Sequence, residues 1–379
     1  MNPAAALKVD RELDRRFMAA ALRLGRRNLG RTYPNPSVGA VVVARGETGE
    51  AVVVGRGWTA EGGRPHAETV ALAQAGAAAR GATLYVTLEP CSHQGQTPPC
   101  ADALAEAGIA RVVIAMPDPD PRVNGRGIAR LEAAGIAVTT DLLADEAALA
   151  HAGHVARVAR NRPHIVLKLA VSADGMIGRR EGERMIISGR AAFDAVQAMR
   201  VESDAVIIGI GTALVDNPRL TVRLAGLAAR SPVRIILDAG ARLPLDSNLI
   251  ASAREVPLVA AVGPAAPEER KDALREAGVR LIEVDEAAAG IDLNQLLATL
   301  AAEGFTRVLV EGGASVASSL VAGDLADEVV IFRAAVVVGP TGVRALGNYA
   351  LSAIERSPRY RQIEAAIVGD DQMRRYLRV

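Results

Sequence analysis

Leu13, Phe17, Ala20, Ala21 and Leu24 recur at helical spacing, so residues 11–28 open the chain as an amphipathic helix. After the break at Pro34-Asn35-Pro36, the apolar runs 38–44 and 51–57 read as strands. Residues 66–79 form an Ala-rich helical pattern, 82–88 a strand, 100–107 a helix and 111–116 a strand. A Pro/Gly-rich loop at 117–127, a helix near 128–134 and a short strand at 136–140 follow. Strands alternating with helices predict a layered α/β sheet with helices on both faces. Residues 141–163 are Ala-rich and helical in pattern, and they close at Asn161-Arg162-Pro163. From His164 the alternation restarts. Strands are expected at 164–171, 204–210, 233–238, 256–262, 279–284, 306–310 and in the tail, with helices at 190–200, 266–277 and 292–303.

At 379 residues the chain is long for one core, and the restart at His164 supports two α/β domains, 1–150 and 151–379, joined by a linker at about 141–163. Hydrophobic residues make up 50% but aromatics only 3%, so both cores must be built from Val, Leu, Ile and Ala. Lys+Arg number 44 against Asp+Glu 43, with no long run of one sign, which argues against a dedicated nucleic-acid binder. The N-terminal residues lack the apolar core of a signal peptide, and no run approaches the ~18 apolar residues of a membrane span. A soluble cytoplasmic protein without membrane or nucleic-acid partners is expected.

Both cysteines sit in one candidate metal loop, which suits metal thiolates in a reducing compartment better than a disulfide. His66-Ala67-Glu68 is followed by Pro90-Cys91 and then Cys100. One His and two Cys leave the fourth position of tetrahedral Zn²⁺ open, the pattern of a catalytic site. The signature H-x-E followed by P-C and a second Cys belongs to zinc deaminases of nucleobases, in which the Glu is a proton shuttle and not a ligand. Bound zinc lowers the pKa of water towards neutrality, and Glu68 would carry the proton from that water to departing ammonia. A structural zinc module would favour four protein ligands. His151 and His154 could be proposed as a fourth, but on an Ala-rich linker they are expected at the surface.

Three segments resemble the riboflavin-biosynthesis deaminase–reductase family: Thr32-Tyr33-Pro34-Asn35-Pro36-Ser37-Val38-Gly39, the His66-Ala67-Glu68 triplet, and residues 87–100, TLEPCSHQGQTPPC. The second Cys comes nine positions after the first, whereas cytidine and tRNA adenosine deaminases place it three after. Asp118-Pro119-Asp120-Pro121 and Gly125-Arg126-Gly127 also resemble the family's substrate-side loop. The resemblance implies a cytidine-deaminase-like first domain. Its substrate would be 2,5-diamino-6-ribosylamino-4(3H)-pyrimidinone 5′-phosphate, which loses its 2-amino group, with Asn35 hydrogen-bonding the pyrimidine. His93 and Arg126 stand either beside the phosphate or as loop residues bonded to backbone.

In the second half no G-x-G-x-x-G or Walker loop occurs. Two Gly-containing turns follow apolar runs, at 207–212 and 308–315, and each alone reads equally as a tight turn. Together with Lys168–Gly175, Asp216-Asn217-Pro218, Leu220–Arg223 and Val310–Gly313 they resemble the family's reductase half, which has a dihydrofolate-reductase-like α/β fold. The resemblance implies NADPH as hydride donor to ribose C1′, giving 5-amino-6-ribitylamino-uracil 5′-phosphate. Ala170, Thr212, Asp216, Gly313, Ala314 and Ser315 would meet the cofactor, and Arg200, Leu220, Arg223 and Glu311 the substrate. Arg200 and Arg223 suit phosphate because a guanidinium binds it in bidentate fashion. A homodimer is expected by family likeness. Arg184 and Ile186 replace the family's Ser and Trp, and Val336–Gly339 differs from the usual Pro-Lys-Leu-Leu-Gly. The alternative to a bifunctional enzyme is therefore a deaminase carrying a catalytically degenerate reductase domain.

Overall fold

A computed structural model describes residues 10–95, 98–179, 185–287 and 290–379. Gln96 and Thr97 of the metal loop, and Arg184, lie outside the described residues. The chain divides into two compact units between Arg160 and Asn161.

The first unit runs α1 (Arg11–Gly25), β1 (Gly39–Arg45), β2 (Ala51–Trp58), α2 (Ala67–Ala75), β3 (Thr83–Val86), α3 (Cys100–Glu106), β4 (Arg111–Ile114), α4 (Arg126–Ala133), β5 (Ala137–Thr139), α5 (Ala144–Ala150) and α6 (Ala152–Arg160). Its sheet has the order β2-β1-β3-β4-β5. β1 is antiparallel to β2 and β3, while β3, β4 and β5 are parallel. Alternation along the strands divides the core between the two faces. Val42, Leu84 and Val112 pack with Ala71, Leu104 and Leu131 on one face, and Val41, Tyr85 and Val113 pack with Met18 and Ala147 on the other. Gly57 lets α2 lie directly on β2, because a Cβ there would stand 2.0 Å from the Ala67 carbonyl oxygen.

Residues 144–160 are two helices belonging to the first unit. The expectation of surface histidines there is corrected: His151 is 2% and His154 8% exposed. Ala147, His151 and His154 follow one another at i, i+4 and i+7, and all three are buried. Small residues around them, Gly153 and Ala156, are buried too.

The second unit runs β6 (His164–Val171), β7 (Met176–Arg179), α7 (Arg190–Val201), β8 (Ala205–Gly209), α8 (Ile210–Asp216), β9 (Val233–Leu237), α9 (Asn248–Ala251), β10 (Leu258–Val262), α10 (Glu268–Glu276) and β11 (Arg280–Glu283). A two-residue ladder, β12 (Glu286–Ala287) and β13 (Gly290–Ile291), precedes α11 (Leu293–Ala302), β14 (Arg307–Gly312), α12 (Ala314–Ala322) and β15 (Glu328–Arg333). β16 (Gly342–Arg344), α13 (Ser352–Glu355), β17 (Tyr360–Val368) and β18 (Asp371–Arg378) complete it. The main sheet has the order β11-β10-β9-β8-β14-β6-β15-β18-β17. It is parallel as far as β15, where antiparallel β18 and β17 close it. Strands buried on both faces read as continuous apolar runs, as in Ala205–Ile208 and Leu258–Val262. One reading is corrected here: Gly211 and Thr212 belong to helix α8, not to a turn.

Candidate active sites

His66 caps the start of α2 with extended backbone, Cys91 follows the end of β3, and Cys100 opens α3. The fold brings these three together, with the His Nδ1 and both Sγ atoms all within 4.8 Å of one another. His66 Nδ1 lies 3.3 Å from Cys100 Sγ and 3.8 Å from Cys91 Sγ, and the Cys100 N–H donates to Cys91 Sγ at 3.3 Å. Two sulfurs and one imidazole nitrogen converging at this size fit Zn²⁺ with one position open. Hydrogen bonding from Cys100 and His66 holds the Cys91 thiol well down, to about 4, against the effect of burial. Glu68 is buried in the first turn of α2, and burial, then the Cys91 charge, raises its pKa. Such a carboxyl holds a proton more readily than an exposed one, as a shuttle requires.

Asn35 donates its side-chain N–H to the Gly63 carbonyl at 2.9 Å, three residues before His66. Glu89 is a residue whose part the motif did not disclose. Its buried carboxylate accepts four backbone N–H groups, from Asp118, Gly125, Gly127 and Ile128, at 2.8–3.2 Å. That one side chain fastens the 118–128 segment beside Pro90-Cys91. His93 and Arg126 are both exposed.

In the second unit, β8, β14 and β6 are neighbours, and their carboxyl ends gather the other set of residues. Sites of open parallel sheets lie at such ends. Gly209 and Thr212 face the start of α12: a Cβ on Gly209 would stand 3.0 Å from Val316 Cγ2, and one on Gly313 would stand 3.2 Å from Thr212 Oγ1. Gly312 and Gly313 hold φ of +139° and +90°, which exposes the α12 N-terminus around Ala314 and Ser315. Close backbone, N–H groups and hydroxyls suit the phosphates of a dinucleotide. Ala170 lies on β6. Leu220 is buried with φ +56°, a left-handed conformation unusual for a leucine.

Arg200 is placed differently from a phosphate partner. Its Nη2 donates to Glu311 Oε2 at 2.8 Å, its Nε donates to Glu311 Oε1, and its Nη1 donates to the Thr221 carbonyl at 2.8 Å. Burial works against the Glu311 charge, yet Arg200 and then Lys168 hold its pKa below the ordinary value. Lys168 lies on β6. Burial lowers its pKa, and Glu311, Arg200 and Asp216 are the charges around it. Arg223 remains exposed. Its guanidinium lies 4.8 Å from the Phe193 ring centre, and that of Arg190 lies 5.9 Å from the same ring.

Residues 163–371 match the family described as RibD C-terminal domain, and residues 11–116 match the cytidine and deoxycytidylate deaminase zinc-binding region. The riboflavin biosynthesis protein RibD of Aquifex aeolicus is 36% identical over 361 residues, covering 95% of this chain and 97% of the relative. RibD of Escherichia coli is 37% identical, with 94% and 97% covered. The chain belongs to the RibD family of riboflavin biosynthesis proteins.

Solved structures of RibD from Acinetobacter baumannii (TM-score 0.84, 34% identity, 98% of this chain and 100% of that one) and of a deaminase/reductase from Thermotoga maritima (TM-score 0.82, 31% identity, 97% and 99%) share its fold. The first unit is thus cytidine-deaminase-like and the second is the RibD reductase domain. Ile186 stands 82% exposed. In the Val336–Gly339 stretch, Val338 and Gly339 donate their N–H groups to Asp174 at 3.1 and 2.8 Å.

Proposed function

We propose that the two sites act in succession on one phosphorylated pyrimidine. As a RibD family member the chain is a bifunctional deaminase and reductase of riboflavin biosynthesis that uses Zn²⁺ and NADPH. The first site removes the 2-amino group of 2,5-diamino-6-ribosylamino-4(3H)-pyrimidinone 5′-phosphate. The second reduces the ribosyl chain to ribityl. The observation that carries this reading is the convergence of His66, Cys91 and Cys100 beside the buried Glu68.

Zinc held by those three side chains supplies the Lewis acidity that makes water nucleophilic near neutral pH. Glu68 takes a proton from the attacking water and delivers it to the 2-amino nitrogen. The C–N bond then breaks, ammonia leaves, and the water oxygen stays as the new carbonyl. Asn35 orients the ring through its side-chain amide.

NADPH, when bound, supplies a hydride, and Ala170, Thr212, Asp216, Gly313, Ala314 and Ser315 form its cradle. Lys168 Nζ donates a proton to the ribosyl ring oxygen as the ring opens. Glu311, fixed by Arg200, accepts hydrogen bonds from the sugar hydroxyls, and the Leu220 backbone lines the same pocket. The phosphate falls to Arg223. Lys168, Arg200 and Glu311 form a closely interacting charged set, which favours an active reductase over a degenerate one. Among the described residues no helix is long and apolar enough to cross a membrane. Two thiolate ligands suit the reducing cytoplasm, and a homodimer is the assembly that sedimentation should report.

Two variants test the division of labour. Glu68→Gln should retain zinc, lose ammonia release by a factor of about 10²–10⁴, and still reduce the deaminated compound. Lys168→Met should release ammonia normally and leave NADPH unoxidised. Mixing the two should restore the full sequence. A Glu68→Gln protein with undiminished ammonia release contradicts the proposal.

A further inference from the structure

Two buried imidazoles behind the metal loop take no part in the chemistry above. His154 donates its Nε2–H to Asp118 Oδ1 at 2.9 Å, and both side chains are buried. His151 Nε2 lies 3.0 Å from Thr87 Oγ1, which itself accepts the Gly39 N–H at 3.0 Å. The two histidines share one face of the α5–α6 pair, three residues apart. Each leaves its Nδ1 without a partner, so each ring is committed through a single bond. A buried imidazole with one unpartnered nitrogen is costly, and only its bonded side offsets that cost.

The bonded sides reach two significant places. Thr87 lies four residues before Cys91. Asp118 begins the segment that Glu89 gathers, and Asp118 Oδ1 also accepts the Asp120 N–H at 2.9 Å. One oxygen thus serves both the turn within the segment and the helix behind it. Phe, Leu or Ala on this helix face would fill the space but would leave Asp118 buried with one fewer donor.

We infer that His154, supported by His151, is a positioning residue for deamination: it holds Asp118, and through it the 118–128 segment, in register with Cys91. The helices at 144–160 are then a working part of the deaminase. This rests on the deaminase reading of the first site.

His154→Gln and His154→Met in the full-length, zinc-loaded protein test it, because Gln and Met are close in shape and only Gln can donate to Asp118. His154→Met should lower kcat/KM for ammonia release at least tenfold, through KM more than kcat. His154→Gln should stay within about threefold of the parent. Zinc content and NADPH-dependent reduction should be unchanged in both. Equal ammonia release by Met and Gln variants overturns the inference, as does a loss of the same size in both. If His154→Met does not accumulate as folded protein, Asp118→Ala, which removes the acceptor, is read in the same assay. Unchanged KM there also overturns it. Absence of ammonia release from the parent protein would strike the deaminase reading instead.

Discussion

Arg200 and Arg223 stand in the same stretch of sequence and carry the same charge, but the fold gives them opposite work. Arg200 is spent on Glu311, which lies 111 residues away in sequence. Arg223 keeps its guanidinium at the surface beside Phe193, and the nearby charges of Arg200 and Arg219 act with partial burial to lower its pKa. Arg200 is neutralised by Glu311, so exposed Arg223 is the cation left to meet a doubly charged phosphate. Arg223→Ala should therefore raise KM for the phosphorylated reductase substrate about 10–100-fold, the worth of one charge-assisted hydrogen bond, and leave KM for NADPH unchanged. Steady-state kinetics at fixed ionic strength checks this. The metal ligands were legible because H-x-E, P-C and Cys form a compact local pattern. Lys168 was not, since it interrupts an apolar strand whose charged neighbours, Glu311 and Asp216, come from other strands and helices. Arg200 was located in sequence, but nothing local announces its partner.

Among the elements, the 118–128 segment is closely prescribed by its contacts with Glu89 and Pro90. Gly127 admits no side chain: a Cβ there would stand 2.1 Å from the Pro90 carbonyl oxygen. Gly127→Ala should displace Pro90 and Cys91, at a cost of about 1–3 kcal/mol. Ammonia release should collapse while reduction persists. The α5–α6 pair shows the opposite case, in which a linker-like composition concealed a buried face. Alanine-rich sequence weakens the contrast between inner and outer positions, so only the spacing of Ala147, His151 and His154 carried the signal. Burial, aided by the His154 charge, depresses the His151 pKa to about 4. Between about 4 and the ordinary 6.5 the unfolded chain then binds the extra proton and the folded one does not. Stability of the first unit should be complete above about pH 6.5. It should fall as pH drops towards 4, by on the order of 3 kcal/mol. His151→Gln should flatten that slope in urea unfolding measured across this range.

At the scale of the molecule, two α/β sheets each place their reactive residues where strands end and helices begin, and each serves a different cofactor. Restart of the alternation at His164 made the two sheets readable from pattern alone. The nine-strand order did not follow from it, because β14 inserts between β8 and β6 through contacts far apart in the chain. That insertion brings the charge of Glu311 on β14 close to Lys168 on β6. Both sites are expected to work in this one chain. The direct measurement gives zinc-loaded protein the diaminopyrimidinone ribosyl phosphate, with and without NADPH, and follows ammonia and cofactor absorbance together. Ammonia released without cofactor, followed by NADPH oxidised in equal amount once it is added, is the predicted result. Ammonia with no NADPH oxidation, or no ammonia at all, would contradict it.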